Sequence, residues 1–248
     1  MDLMEKNYHR NELLEYPTNL QDANGIQKKW SKFIFDEKAP SIKLRDIHIV
    51  AGVDLTYLQK GTDEYGIACA VLWNLETNKE IAYEFAIEKV EFPYISGLLA
   101  FREIRIASLA IGQLTLIPDL IMFDGHGRAH PHRFGVAVAI GVALDLPSMG
   151  VAKRPLIGVR NWKNMKRKAG NKLLVIDNGE IVGYVMVLVD KLAPVFVSVG
   201  YKIDLETTAE IALKTALRHK QPECIGKAHE YLQKQKFSIL SIHLSRCK

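Results

Sequence analysis

The sequence predicts an α/β fold built on a mixed sheet, three antiparallel strands followed by parallel strands, with helices on its faces. Three observations lead there. Between residues 47 and 90, β-rich apolar runs follow one another across short turns. Between residues 97 and 152, helical patterns alternate with short, almost wholly apolar runs. That alternation implies parallel pairing, because a strand returning through a helix re-enters the sheet in the same direction. No internal repeat or low-complexity tract divides the chain, so residues 1–248 read as one domain.

In chain order, the first forty residues are polar and mixed in charge, with an amphipathic helix expected over Leu20 to Ile34 and no catalytic pattern. This is a helical extension to about residue 45, before a core of about 45–210. His48 to Val53 is an extended apolar run ending in Asp54, and Gly66 to Trp73 and Ile81 to Val90 are the next two strands. Gly61, Thr62 and Asp63 supply turn chemistry between the first two, which makes them antiparallel. Gly97 to Leu116 reads as a long helix that Pro118 stops. Asp119 to Phe123 is a short strand, Phe134 to Leu144 a small-residue helix, and Ser148 to Ala152 another buried strand. Asp177-Asn178-Gly179-Glu180 between two apolar arms marks a hairpin over Leu173 to Val189. Pro194 to Val199 adds a strand, and the tail from Leu205 onward is helical in pattern.

The composition, 48% hydrophobic and 25% charged over 248 residues, is that of a folded globular chain and excludes disordered and fibrous classes. A net charge of +5 favours a polyanionic partner. Cys69, Cys224 and Cys247 stand far apart, so neither a disulfide framework nor a thiolate zinc site is expected, and a reducing cytoplasm is the default compartment. The apolar stretch Ile106 to Leu120 is interrupted by Gln113 and Pro118, and the amino terminus carries Asp2, Glu5, Lys6 and Arg10. No membrane span or signal peptide is expected.

Two aspartates follow apolar strands: Asp54, and Asp124 ahead of Gly125-His126-Gly127, whose glycines let backbone approach a ligand closely. Each is either a strand-ending turn residue or a carboxylate in a shared cleft. Glu103 sits in a helix otherwise apolar on its buried side, on the solvated face or held for a purpose. Together, oxygen ligands from separate elements suit a hard divalent cation such as magnesium, which keeps waters and bonds substrate phosphate. His126, His130 and His132 lack a zinc-site spacing, because Pro131 breaks any helix between the last two. His130 is the histidine put forward for a catalytic-site role, as hydrogen-bond donor or proton shuttle. Lys153 follows a buried strand, as a surface lysine or a partner for a scissile phosphate. Lys163, Lys166, Arg167, Lys168 and Lys172, with Trp162, form a basic loop suited to a nucleic-acid backbone or simply solvated.

Pro93-Tyr94-Ile95-Ser96-Gly97, Phe101-Arg102-Glu103, Asp124-Gly125-His126-Gly127, Ala129-His130-Pro131 and Gly150-Val151-Ala152-Lys153 follow one another, in order and spacing, as in endonuclease V. The chain resembles that family over roughly residues 45 to 210. The resemblance implies a ribonuclease H-like fold and a magnesium-dependent enzyme, with manganese as substitute, acting on DNA containing deoxyinosine. The family hydrolyses the second phosphodiester on the 3′ side of the lesion, leaving 3′-hydroxyl and 5′-phosphate ends. It implies Asp54, Glu103 and Asp124 as metal ligands, and His130 and Lys153 as further members of the catalytic site. Tyr94 matches the wedge that fills the space left by the extruded base, and Gly97, Leu99 and Gly125 match positions lining the hypoxanthine pocket. Extrusion is easiest for a poorly paired base.

The chain departs from the family at Ser96, where proline is usual, at Val138-Ala139, where Ser-His is usual, and at Tyr201, where histidine commonly follows the glycine. Asp204 still matches and is a candidate fourth acid. Some members prefer inosine in RNA, so a ribonuclease is one alternative. A non-catalytic nucleic-acid-binding module is another, against which the clustered acids argue, since they repel phosphate unless a cation is present. A monomer without a membrane partner is expected.

Overall fold

The computed structural model of the protein describes residues 10–36, 40–159 and 161–246. Helix α1 (Leu20–Asp36) precedes three long strands, β1 (Ile49–Lys60), β2 (Asp63–Asn74) and β3 (Lys79–Lys89). Then come α2 (Ala100–Gly112), β4 (Leu120–Phe123), α3 (Val136–Leu144) and β5 (Ser148–Ala152). The strands β6 (Lys172–Asp177), β7 (Glu180–Met186) and β8 (Val195–Tyr201) follow, and α4 (Leu205–Thr215) and α5 (Glu223–Arg246) close the chain. All eight strands form one sheet in the order β3-β2-β1-β4-β5-β8-β7-β6.

The mixed α/β reading is confirmed. β1, β2 and β3 are antiparallel neighbours, whereas β4 pairs parallel with both β1 and β5. Beyond β5 the sheet turns antiparallel again, through β8, β7 and β6. The expected hairpin turn is there, with Asn178 and Gly179 both at positive φ, the geometry that an Asn-Gly turn between twisted strands requires.

Side-chain alternation sorts the core onto two faces. Val53, Ala68 and Ala70 point to the side covered by α2 and α3, with Trp30 of α1 joining that cluster. Ile67, Cys69 and Val71 point to the side where Ala228 and Leu232 of α5 pack. Gly52 lies on this second side, and a Cβ there would strike the backbone of Cys224, so α5 seats directly on β1 only because residue 52 is glycine.

Several boundaries differ from expectation. β1 does not end at Asp54 but runs on to Lys60, because its second half pairs with β2 down to Lys60 and Asp63. Asp54 is therefore a mid-strand residue. α2 begins at Ala100 and stops at Gly112 rather than spanning 97–116: Gly97 adopts φ +84°, and three-residue bonds at Gln113 and Leu114 tighten the last turn. α3 starts at Val136, after Gly135 in extended conformation. The helical tail is two helices, with Pro222 ahead of the second. No described helix is long and apolar enough to cross a membrane.

Candidate active site

A short strand beside a long one opens the site. β4 stops at Phe123, its last pair being with Val53, while β1 continues for seven residues. The Asp124 amide donates to the Val53 carbonyl (2.9 Å), so Asp54 and Asp124 sit side by side where the parallel pairing ends. Crevices outside the carboxyl ends of parallel strands are the usual place for ligands in such sheets.

Each carboxylate has protein donors. Asp54 Oδ1 accepts from the Leu55 amide (2.9 Å), and its Oδ2 lies 2.8 Å from His229 Nδ1 on α5. Asp124 Oδ2 accepts from Lys153 Nζ (2.6 Å), and its Oδ1 accepts from Gln221 Nε2 (2.9 Å). The same Gln221 amide reaches the Val151 carbonyl at 3.3 Å. Glu103, in the first turn of α2, accepts from the Tyr57 hydroxyl (3.1 Å).

Burial and like charge act together here. Burial pushes the Asp54 carboxyl up to about 6, and the Asp124 charge adds to it against the pull of His229 and Lys153. Glu103 is pushed up to about 8, first by burial; the Tyr57 hydroxyl opposes this, and the charges of Asp54 and Asp124 reinforce it. With Asp124, whose charge raises both Asp54 and Glu103, these carboxylates in a recess shielded from water are a donor set whose repulsion a hard divalent cation relieves. Their oxygen donors fit a hard divalent cation. Among the described residues no three His, Cys, Asp or Glu side chains converge as ligands of one ion; the carboxylate oxygens turn instead to Lys153, Gln221, His229 and Tyr57. Ligation by Asp54, Glu103 and Asp124 requires these donors to yield.

Next to the carboxylates is a cavity of about 130 Å³, smaller than the several hundred Å³ of ordinary ligand pockets. Tyr94, Gly97, Leu99 and Gly125 all line it, together with His130 and Leu156. Tyr94 is 72% exposed, so it is not a core residue. The Gly97 carbonyl accepts from Gln27 of α1 (2.8 Å). His130 is buried, hydrogen-bonds to the Gly97 backbone and accepts the His132 amide at Nδ1 (3.2 Å). Burial, then the neighbouring His132 and His126, push it down to about 4, so it is neutral at physiological pH. His130 thus stands in the cavity wall, without a hydrogen bond to any of the three carboxylates among the described residues.

Other candidates lie elsewhere. Asp204 caps α4, accepting from the Thr207 amide (2.8 Å), and pairs with Lys43 (3.0 Å), away from the carboxylates. Tyr201 is buried, with the Arg10 guanidinium 5.6 Å from its ring centroid. In the basic loop, Lys168 pairs with Asp190 and Lys172 with Glu206, and Trp162 packs edge-on against Phe196. Cys69 and Cys224 are buried free thiols, and Cys247 lies outside the described residues.

Tyr57, Gln221 and His229 were not among the residues singled out from sequence. Tyr57 is three positions beyond Asp54, but nothing in a strand pattern says which hydroxyl will face a glutamate on a helix. His229 and Gln221 meet their aspartates across 175 and 97 residues. No local signal in the sequence marks either of them.

Residues 31–230 match the family model described as Endonuclease V. An endonuclease V of Dictyoglomus thermophilum is 40% identical over 210 residues, 84% of this chain and 87% of that protein. The crystal structure of the Bacillus subtilis endonuclease V superposes with a TM-score of 0.82 at 26% identity, covering 91% of this chain and 95% of that one. The Ciona intestinalis endonuclease V, solved with a 24mer DNA containing an inosine followed by a ribo-adenosine, matches with a TM-score of 0.77 at 26% identity over 89% of this chain and 98% of that one. With its family model spanning most of the sequence and relatives at this identity over most of their length, the chain belongs to the endonuclease V family.

Proposed function

We propose that the chain is a divalent-cation-dependent endodeoxyribonuclease that hydrolyses the second phosphodiester 3′ to deoxyinosine, leaving 3′-hydroxyl and 5′-phosphate ends. The observation that carries this reading is the adjacency of Asp124 and Gly125: one belongs to the carboxylate recess and the next lines the small cavity. A base held in that cavity brings the phosphates of its own strand to the carboxylates. The Ciona intestinalis relative in complex with inosine-containing DNA supports the choice of substrate.

Asp54, Glu103 and Asp124 would hold magnesium, or manganese in its place, which when bound polarises a phosphoryl oxygen and makes water a better nucleophile. Lys153, now on Asp124, is within reach of a phosphate that enters beside it and offsets its charge. Neutral His130 fixes the Gly97 turn that shapes the cavity and can donate without adding charge. Tyr94 projects from the cavity rim, where an aromatic ring can stack in the gap left by an extruded base. The chain acts as a monomer and as one domain over residues 1–248.

The test is incubation with end-labelled duplexes carrying inosine, uracil, xanthine or an abasic site, and with a matched inosine RNA strand, each with and without magnesium. The expected result is magnesium-dependent cleavage one nucleotide beyond inosine in DNA. Cleavage of RNA alone would make the enzyme a ribonuclease, and tight binding without cleavage in magnesium would make it a binding module.

A further inference from the structure

A second cavity, of about 660 Å³, lies between α1 and the loop carrying His130. Lys28, Ser31 and Lys32 line it from the helix, and Arg128, His132 and Arg133 from the loop; no carboxylate is among its lining residues. The two arginines are already matched, Arg133 with Glu180 (2.7 Å) and Asp177 (2.8 Å), and Arg128 with Glu180 (3.1 Å). Lys28 and Lys32 make no ion pair or hydrogen bond with other described residues and are exposed. They stand four apart on α1, so with Asn24 and Ser31 they form one stripe, opposite the buried Ala23 and Trp30. Like charges at that spacing weaken a helix, and here they also face two guanidinium groups. Nothing in the packing of α1 calls for them, whereas an anion in the cleft does.

The cleft shares a wall with the small cavity. Gln27 lines the cleft and donates to the Gly97 carbonyl of the cavity, and Ser31 Oγ donates to the His132 carbonyl (2.7 Å), two residues from His130. The carboxylates meet the cavity through Gly125, next to Asp124. A strand whose base fills the cavity can leave it past the carboxylates or past this cleft. We propose that the cleft is a subsite for backbone phosphates of the strand on the 5′ side of the extruded base, with Lys28 and Lys32 as its phosphate-contacting cations. The direction rests on the reading above that the cut falls 3′ of the base; the binding of phosphates does not.

The test compares the wild type with Lys28→Gln/Lys32→Gln and Lys28→Arg/Lys32→Arg in equilibrium binding to inosine duplexes over a range of salt, in calcium to prevent cutting. Two lost phosphate contacts lower the slope of log affinity against log salt by about 2. The expected result is that loss in the glutamine pair, on inosine and undamaged duplexes alike, with the arginine pair close to wild type. On a duplex truncated just 5′ of the inosine the wild type and the glutamine pair should converge, and on one truncated 3′ of it they should stay apart. An unchanged slope in the glutamine pair, with a native circular dichroism spectrum, overturns the proposal, as does convergence on the 3′-truncated duplex instead. Failure to prefer inosine at all, with the slope change intact, would defeat the proposed function and leave the phosphate subsite standing.

Discussion

Replacing Glu103 by glutamine should make the metal-free protein more stable at alkaline pH. Glu103 holds its proton more tightly folded than unfolded, with the ordinary 4.5 raised to about 8. A raised value means stability that is full below the unfolded value and lost as pH rises through the folded one. At about 1.4 kcal/mol per pH unit, the whole gap is on the order of 5 kcal/mol. Asp54 adds a loss of the same sign up to about 6, and His130, held at about 4, adds a gain that is complete by about 6.5. Between pH 6.5 and 9, therefore, Glu103 is the main contributor, and its remaining loss is on the order of 2 kcal/mol. Urea denaturation in chelator at several pH values across this window measures it. The wild type should lose about that much and Glu103→Gln very little, while the Tyr57 hydroxyl keeps a side-chain oxygen to donate to. Magnesium at pH 8.5 should then stabilise the wild type more than the variant, because ligand binding favours the state that carries the site. Parallel wild-type and variant curves over pH 6.5–9 would refute the argument that burial and two neighbouring carboxylates govern this group.

Asp124→Asn should fold and lose inosine-duplex cleavage by several decades in saturating magnesium; near-normal turnover would remove Asp124 from the chemistry. Tyr94→Ala should melt like the wild type, since the ring is 72% exposed. It should nonetheless lose about 1–3 kcal/mol in binding duplex inosine, and less on a single strand; equal losses on both would argue against a wedge. Arg102→Met strips the Phe92 carbonyl of a 2.6 Å bond and Glu64 of a 2.5 Å ion pair, and removes a guanidinium 4.7 Å from the Tyr57 ring. Because Glu64 is partly solvated, the cost should be about 2–3 kcal/mol in urea denaturation, and a neutral result would mean that Arg102 is not holding the start of α2.

Much of the fold was legible because its elements are short, apolar and punctuated. The β4 run 120–123, the β5 run 148–152 and the Asn178-Gly179 turn announce themselves through local rules alone. Asp54 shows the limit of such rules. Its run of apolar residues ends at Val53, yet the strand goes on, because β2 pairs with it whatever the polarity of Thr56 or Gln59. Glu103 and its neighbour Arg102, charged residues in a helix of apolar pattern, are both buried, held by partners that periodicity cannot supply: Tyr57 for one, Glu64 and the Phe92 carbonyl for the other. The cavity residues Tyr94, Gly97, Leu99 and Gly125 were drawn from a family pattern, and the structure brings all four to one place. Gln221 and His229 came from no pattern, because what recruits them is the seating of α5 on Gly52.

That seating gives the site an order of assembly. The three carboxylates are made in the first half of the chain, but the partners that fix two of them, Gln221 and His229, lie within the last thirty residues. A chain emerging amino terminus first carries its acids long before the final helix can press on β1. Until then Asp54 and Asp124 lack the imidazole and amide that set their oxygens, and the same hydrogen bonds that hold the recess also time its completion. A larger side chain at residue 52 would leave that clock unwound: the sheet would form, α5 would be held off, and the carboxylates would stand in a cleft with its last wall missing.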